Sequence, residues 1–270
     1  LLSINNSKST ASTLVSIFDV QSENYENKIS LLKSVQPSIR VQSEFLLNPG
    51  LRMQANSAGG DSLLSEFALC PQGIKTGDDN RWLRRFHEIP GLPGWQYMQS
   101  AHSSNSNFGG CEWVVDWSTG GLGMIRPRLD SPAVGKIGIG LSQTGSMRTA
   151  IYLGVKFDSN VAPIIPKNAK DPAAIISFCQ SSYYSDAVNE ANPGLFVTNS
   201  ALLEIPFNLE YWKKAAKEIY SGGIPKPYSD DPSQWIFHGH PKTASNPLQV
   251  AVARLVGYAW PAEADDKLGL

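Results

Sequence analysis

In the first ~35 positions apolar residues recur at helical spacing: Leu14, Ile17 and Phe18, then Ile29, Leu32 and Val35. Ser9, Thr10 or Ser12 stands ready to cap the start, and the pattern predicts a helical connector over residues 1–62. The polar, glycine-bearing stretch 56–61 then marks a boundary ahead of a short apolar run, 63–69. From Gly73 to Phe207 the pattern changes to short apolar runs broken by Gly and Pro. It predicts strands at 111–117, 136–142, 150–155, 161–165 and 196–205, pairing into one sheet. One helix interrupts them, from Asp171 as cap and Pro172 in the first turn to about Ala191, where Asn192-Pro193-Gly194 ends it. Its residues Ile175, Ile176, Phe178 and Cys179 should lie on the sheet. Two more helices follow, one from Asn208 to about Tyr220, the other capped by Asn246 and closed by Gly257. Between them, Gly222 to Pro227 and Ser229 to Pro232 read as an extended proline-rich loop. The reading is an α+β fold (mixed α/β): a connector at 1–62, a twisted mixed β-sheet domain with packed helices at 63–207, and a helical C-terminal segment at 208–270.

A chain of 270 residues with 41% hydrophobic content is long enough to bury a sizeable core. Cys70, Cys111 and Cys179 are widely separated with no Cys-x-x-Cys pair, which argues against a disulfide framework or a zinc ribbon and for a reducing, cytoplasmic setting. No run approaches the ~18 apolar residues of a membrane span, and the start lacks the basic-then-apolar pattern of a signal peptide. With no initiator Met, and with 264–270 reading like the start of another helix, the chain is expected to be a piece of a longer protein. A net charge of -1 gives no global attraction to nucleic acid, so any such binding must be local. Between Met124 and Lys156, Arg126, Arg128, Lys136, Arg148 and Lys156 stand against Asp130 alone. That stretch is either a cationic binding face or a solvated surface that happens to be basic.

Among candidate motifs, Gly135 to Gly145 matches neither a phosphate loop nor a dinucleotide fingerprint. It reads instead as a glycine-relieved strand followed by a polar loop, 142–148, presenting Gln143, Thr144 and Arg148. His238-Gly239-His240 offers two imidazoles without a third ligand nearby. No Gly-x-Ser-x-Gly elbow or cysteine signature supports hydrolase chemistry, and Asp78, Asp79, Glu112, Asp116, Asp230 and Asp231 show no nuclease-like spacing. The most informative run is 72–86, where a glycine-bounded turn offers backbone N–H groups and small polar side chains, and arginines follow. Its plainer reading is a tight turn into a helix or strand.

Within that run, Gly73-Ile74-Lys75-Thr76-Gly77-Asp78-Asp79-Asn80-Arg81-Trp82 resembles the G-I-x-T-G-x-N-x-x-F run of bacterial adenine-specific DNA methyltransferases, where it opens the specificity region. Similar stretches follow in order: 136–166, 199–207 with Asn199-Ser200-Ala201-Leu202-Leu203-Glu204-Ile205-Pro206-Phe207, and 231–241 with Asp231-Pro232-Ser233-Gln234-Trp235, then 247–255. The family includes type II restriction-modification enzymes with TaqI-like specificity domains and the large methyltransferases of BREX and DISARM phage defence. The resemblance implies a target-recognition region that holds duplex DNA while a separate catalytic domain flips an adenine and methylates N6 from S-adenosylmethionine. The Asn-Pro-Pro-Tyr/Phe tetrapeptide and the glycine-rich cofactor loop are absent, so this chain should carry no cofactor and no catalysis of its own, the parent enzyme supplying both. Partners implied are double-stranded DNA, the chain's own catalytic methyltransferase domain and other defence subunits. From chemistry and position, Lys75, Thr76, Asn80, Arg81, Arg84 and Arg85 are candidates for phosphate contact, and Arg126, Arg128, Gln143, Thr144 and Arg148 for groove contact. Two other readings stand beside this one: a protein-docking module using 224–241, and a small enzyme built on His238 and His240.

Overall fold

The computed structural model describes residues 10, 12–18, 25–47, 62–89, 91–102, 106–143, 147–192 and 196–264. The chain divides into two compact units, Leu1–Glu66 with Glu204–Asn208, and Phe67–Leu203 with Leu209–Leu270.

In the first unit β1 (Leu14–Ile17) and β2 (Ser38–Val41) pair antiparallel, Leu14 opposite Val41, and α1 (Tyr25–Ser34) lies between them in sequence. The helix expected through Leu14, Ile17 and Phe18 is therefore a strand. Val15 and Ile17 are β-branched, and they alternate with the more exposed Leu14 and Ser16, so the period of two wins over the three-to-four spacing. The proposed boundary stretch 56–61 lies outside the described residues. Segment 204–208 joins this unit through backbone bonds from Leu64 N to the Ile205 carbonyl (2.9 Å) and from Phe207 N to the Ser62 carbonyl (2.8 Å).

The second unit is α+β and, among its described residues, holds two four-stranded sheets. After α2 (Leu64–Phe67), which straddles the division, come β3 (Ala68–Leu69), α3 (Asp79–Trp82), β4 (Leu83–Arg85), β5 (Trp95–Gln99) and β6 (Trp113–Asp116). Then follow β7 (Gly138–Ser142), β8 (Thr149–Tyr152), β9 (Lys156–Phe157) and β10 (Val161–Pro166). One sheet is antiparallel, in the order β3-β10-β7-β8; the other runs β4-β6-β5-β9, with β9 parallel to β5. A single sheet was expected, and the difference arises at Leu153-Gly154-Val155, where the chain leaves β8 in one sheet and enters β9 in the other. Gly154 takes φ +76° there, and a Cβ would sit 2.9 Å from the Lys136 amide nitrogen, so only glycine fits the crossing.

Every residue of β7 and of β10 is buried, the signature of strands covered on both faces. The β7 glycines permit this: a Cβ on Gly138 would collide with the Ile164 carbonyl, and one on Gly140 would lie 3.0 Å from Val161 Cγ2. The helix α4 (Pro172–Cys179) covers β7 and β10, burying Ile175, Ile176, Phe178 and Cys179. A second helix, α5 (Ser182–Ala191), begins where one long helix was expected to continue. The Ser181 side chain accepts from Tyr184 N (3.2 Å) and so caps a new start. The strand expected over 196–205 is instead α6 (Asn199–Leu203), because the Thr198 hydroxyl accepts from Ala201 N (3.3 Å) and turns the run helical.

Next, α7 (Leu209–Ile219) packs on α4, with Phe178 and Trp212 ring centroids 5.2 Å apart and Tyr220 donating to Gln180 Oε1 (2.7 Å). Finally α8 (Pro247–Leu255) ends at Gly257, φ +89°. The C-terminal helices belong to the same compact unit as the two sheets. The proline-rich stretch is anchored likewise. Trp235, Ile236 and Phe237 are fully buried, Trp235 stacks on Tyr97 at 4.6 Å, and the Cys111 amide donates to Gln234 Oε1 (2.7 Å). Residues 234–237 of the surface expected at 224–241 are therefore core. Between the sheets, Gln99 of β5 donates Nε2 to the Gly109 and Ile151 carbonyls (both 3.0 Å) and accepts from Leu153 N (3.1 Å).

Candidate nucleic-acid interface

The run 72–82 is tied to the loop between β6 and β7. Ile74 N donates to the Phe157 carbonyl (2.9 Å), which fixes one edge of the run. On the other edge Lys75 and Arg126 exchange both backbone bonds, each 2.9 Å, as an antiparallel pair. Residues so paired place their side chains on the same face, with Cα atoms about 5.5 Å apart. Arg126 Nε also donates to the Gly73 carbonyl (3.2 Å), and an Arg128 guanidinium nitrogen donates to Gln72 Oε1 (2.6 Å). Gly73 has no room for a side chain, since the Asp158 carbonyl occupies the place a Cβ would take. Two cationic side chains, the exposed Lys75 and the half-buried Arg126, thus lie on one face side by side, with a third, exposed Arg128, two residues on.

Local carboxylates shape the turn. Asp78 caps α3 by accepting from Arg81 N (3.2 Å), and the buried Thr76 hydroxyl donates to the Asp79 carboxylate. Thr76 is thereby engaged inside the turn. Asn80 is exposed, and Arg81 is exposed with its guanidinium 4.7 Å from the Trp82 ring centroid. Trp82 is itself buried among Ile74, Met98, Val115 and Met124, so the turn is pinned to the core of the mixed sheet.

Other predicted residues are used elsewhere. Arg84 donates to the Asn80 and Leu83 carbonyls. Arg85 pairs with Glu112 at 2.6 Å and lies 3.8 Å from the centroid of Trp113. Lys156 is buried with Nζ 3.8 Å from the Trp117 centroid; burial pushes its ammonium below the usual range while Asp130 acts the other way. The expectation that Gln143 stands exposed in a loop is corrected. It is buried, donating to the Val197 carbonyl (3.2 Å) and to Asn199 Oδ1 (2.6 Å), because the end of β7 runs beneath the start of α6. Thr144 lies outside the described residues. Arg148 is half-buried, and its charge is among the influences on His102. Lys75 and Arg126 are thus paired side by side with Arg128 two residues on, Arg81 is exposed on α3, and Arg85, Gln143 and Lys156 are engaged by Glu112, Asn199 and Trp117.

Sequence reasoning missed the exposed apolar residues of the same loop, Leu122 (79% exposed), Ile125 (68%) and Leu129 (59%). Their signal was the interleaving of apolar and basic positions in Ile125-Arg126-Pro127-Arg128-Leu129.

His102 is a buried polar group with no hydrogen-bond partner of good geometry on either ring nitrogen. Burial lowers its titration below 6.5, Arg148 adds to this, and the Thr149 backbone opposes it. His238 stacks on Tyr228 (5.4 Å) and His240 Nδ1 accepts from Lys242 N (3.3 Å), so both imidazoles of the His-Gly-His motif have structural roles. Among the described residues no group of three His, Cys, Asp or Glu side chains is placed to hold a metal, and no helix is long and apolar enough to cross a membrane. No family model matches the chain, and no curated protein sequence matches it.

Proposed function

We propose that the second unit is a DNA target-recognition region that grips the phosphate backbone through Lys75, Arg126 and Arg128, with the exposed Arg81 on the same 72–82 run. The observation that carries this reading is the Lys75–Arg126 pair. Like charges directly opposite one another destabilise a ladder, and these two are held there by two backbone bonds. A phosphate oxygen between them turns that repulsion into two charge-assisted hydrogen bonds. On the resemblance to adenine-N6 DNA methyltransferases, a catalytic domain outside this chain would supply S-adenosylmethionine and the chemistry on the flipped base.

The test is equilibrium binding of the full 270-residue chain to duplex DNA across a salt series. Replacing Lys75 and Arg126 by alanine together should weaken binding and lower the steepness of log K against log salt by about 0.9 for each phosphate no longer neutralised. An unchanged slope refutes the assignment of these two residues.

A second reading, a protein-docking module of a defence complex, is favoured by a different observation. On α8, Leu248 (76% exposed), Val252 and Leu255 (86% exposed) recur at i, i+4 and i+7 with Val256 beside them, an apolar stripe facing solvent.

A further inference from the structure

Leu122 and Ile125 are large apolar side chains, 79% and 68% exposed, on the loop that also carries Arg126 of the Lys75–Arg126 pair. The loop after β6 is held by a chain of backbone bonds: Gly120 N to the Trp117 carbonyl (2.9 Å), Leu122 N to Thr119 (3.3 Å) and Met124 N to Gly121 (3.1 Å). Gly121 and Gly123 have positive φ, and Gly123 rests 3.4 Å from the Trp82 ring when measured from the position of a Cβ. Ile125 is steadied from below by Gly77, where a Cβ would approach its Cδ1 to 2.7 Å. The loop backbone that carries Leu122 and Ile125 is therefore fixed in advance, with Ile125 packed at Gly77, so ordering it against a partner costs little.

We propose that Leu122 and Ile125 are wedges that enter the base stack of duplex DNA while Lys75 and Arg126 hold the flanking phosphates; the inference rests on the DNA-binding reading above. The pattern suits a stack better than a flat surface. The apolar side chains stand singly, each beside a glycine or a cation, whereas a protein interface has a continuous apolar centre. Proteins that unstack a base step use such isolated Leu, Ile or Phe side chains next to Arg and Lys. A partly opened stack also lowers the cost of turning one base out for modification.

The experiment binds the full chain to a duplex carrying 2-aminopurine at successive positions and follows its fluorescence, which rises on unstacking. The expected result is a rise at one or two adjacent positions with the native chain. Leu122→Ala and Ile125→Ala should each abolish that rise and weaken binding by about tenfold, in keeping with the removal of one large apolar side chain from a buried site. The salt slope should stay as it is, since no cation is removed. Both side chains are exposed, so the variants should melt with the native chain. Binding without a fluorescence change, or variants that bind and unstack like the native chain, overturns the wedge and leaves the phosphate grip standing. Failure to bind duplex at any salt concentration overturns both. Capture by phosphatidylserine vesicles without duplex binding, abolished in Leu122→Ala, overturns the wedge in favour of a lipid surface.

Discussion

Replacing Gly73 with alanine tests whether the cationic turn is fastened to the mixed sheet as described. The new methyl would lie inside the van der Waals shell of the Asp158 carbonyl and 2.9 Å from Phe157 Cδ2. Both neighbours are fixed, one being backbone and the other a buried ring, so the turn must move away. Overpacking of this kind costs about 1–3 kcal/mol, and displacing Gly73 stretches the bond from Ile74 N to the Phe157 carbonyl, which adds about 1 kcal/mol. A loss of about 2–4 kcal/mol corresponds to a melting temperature lower by roughly 5–12 °C in a protein of this size. Gly91→Ala is the control: φ is +69° but a Cβ there meets nothing within 4 Å, so only the conformational cost of about 1 kcal/mol applies. Differential scanning calorimetry of the two variants reads the contrast directly. Equal shifts, or a Gly73 variant that melts with the native chain, would refute the fastening. The same substitution should also lower duplex affinity, because Arg126 Nε donates its hydrogen bond to the Gly73 carbonyl.

Two further outcomes follow from buried polar groups. His102 titrates below its ordinary value of 6.5, so as pH falls through 6.5 the unfolded chain binds a proton that the folded chain refuses. Stability is complete above that pH and declines below it, by at most about 1.4 kcal/mol per unit, until the lowered folded value is reached; urea unfolding at several pH values should show the decline, and His102→Leu should flatten it. Gln234→Ala removes the acceptor for the buried Cys111 amide and the donor to Glu112 Oε1, and should cost about 2–3 kcal/mol by thermal denaturation. A loss under about 0.5 kcal/mol would show that these groups are satisfied in another way.

What could be read from the chain followed from punctuation and periodicity. Asn246-Pro247 with Gly257 bounds α8, Asp171-Pro172 opens α4, and the alternation of Gly and apolar residues in 138–142 gives a buried strand. Local capping chemistry decided where the pattern failed. The hydroxyls of Ser181 and Thr198 each start a helix that apolar runs alone would have continued or made into a strand. The division of strands into two sheets was illegible because it depends on Gly154 packing against the distant Lys136 backbone. At the candidate site, the turn and its basic residues were legible as residue types. Which cations remained outward was not, since that is settled by long-range partners: Glu112 for Arg85 and Trp117 for Lys156.

Gln99 gives the second unit a mechanical property that its apolar packing alone would not. Hydrocarbon surfaces can slide past one another at small expense, but a carboxamide locked to three main-chain groups of neighbouring segments has a single acceptable alignment. A displacement of one residue would strand several dipoles away from water at once. Gln99 therefore fixes the alignment of the mixed sheet against the end of β8 to a single residue.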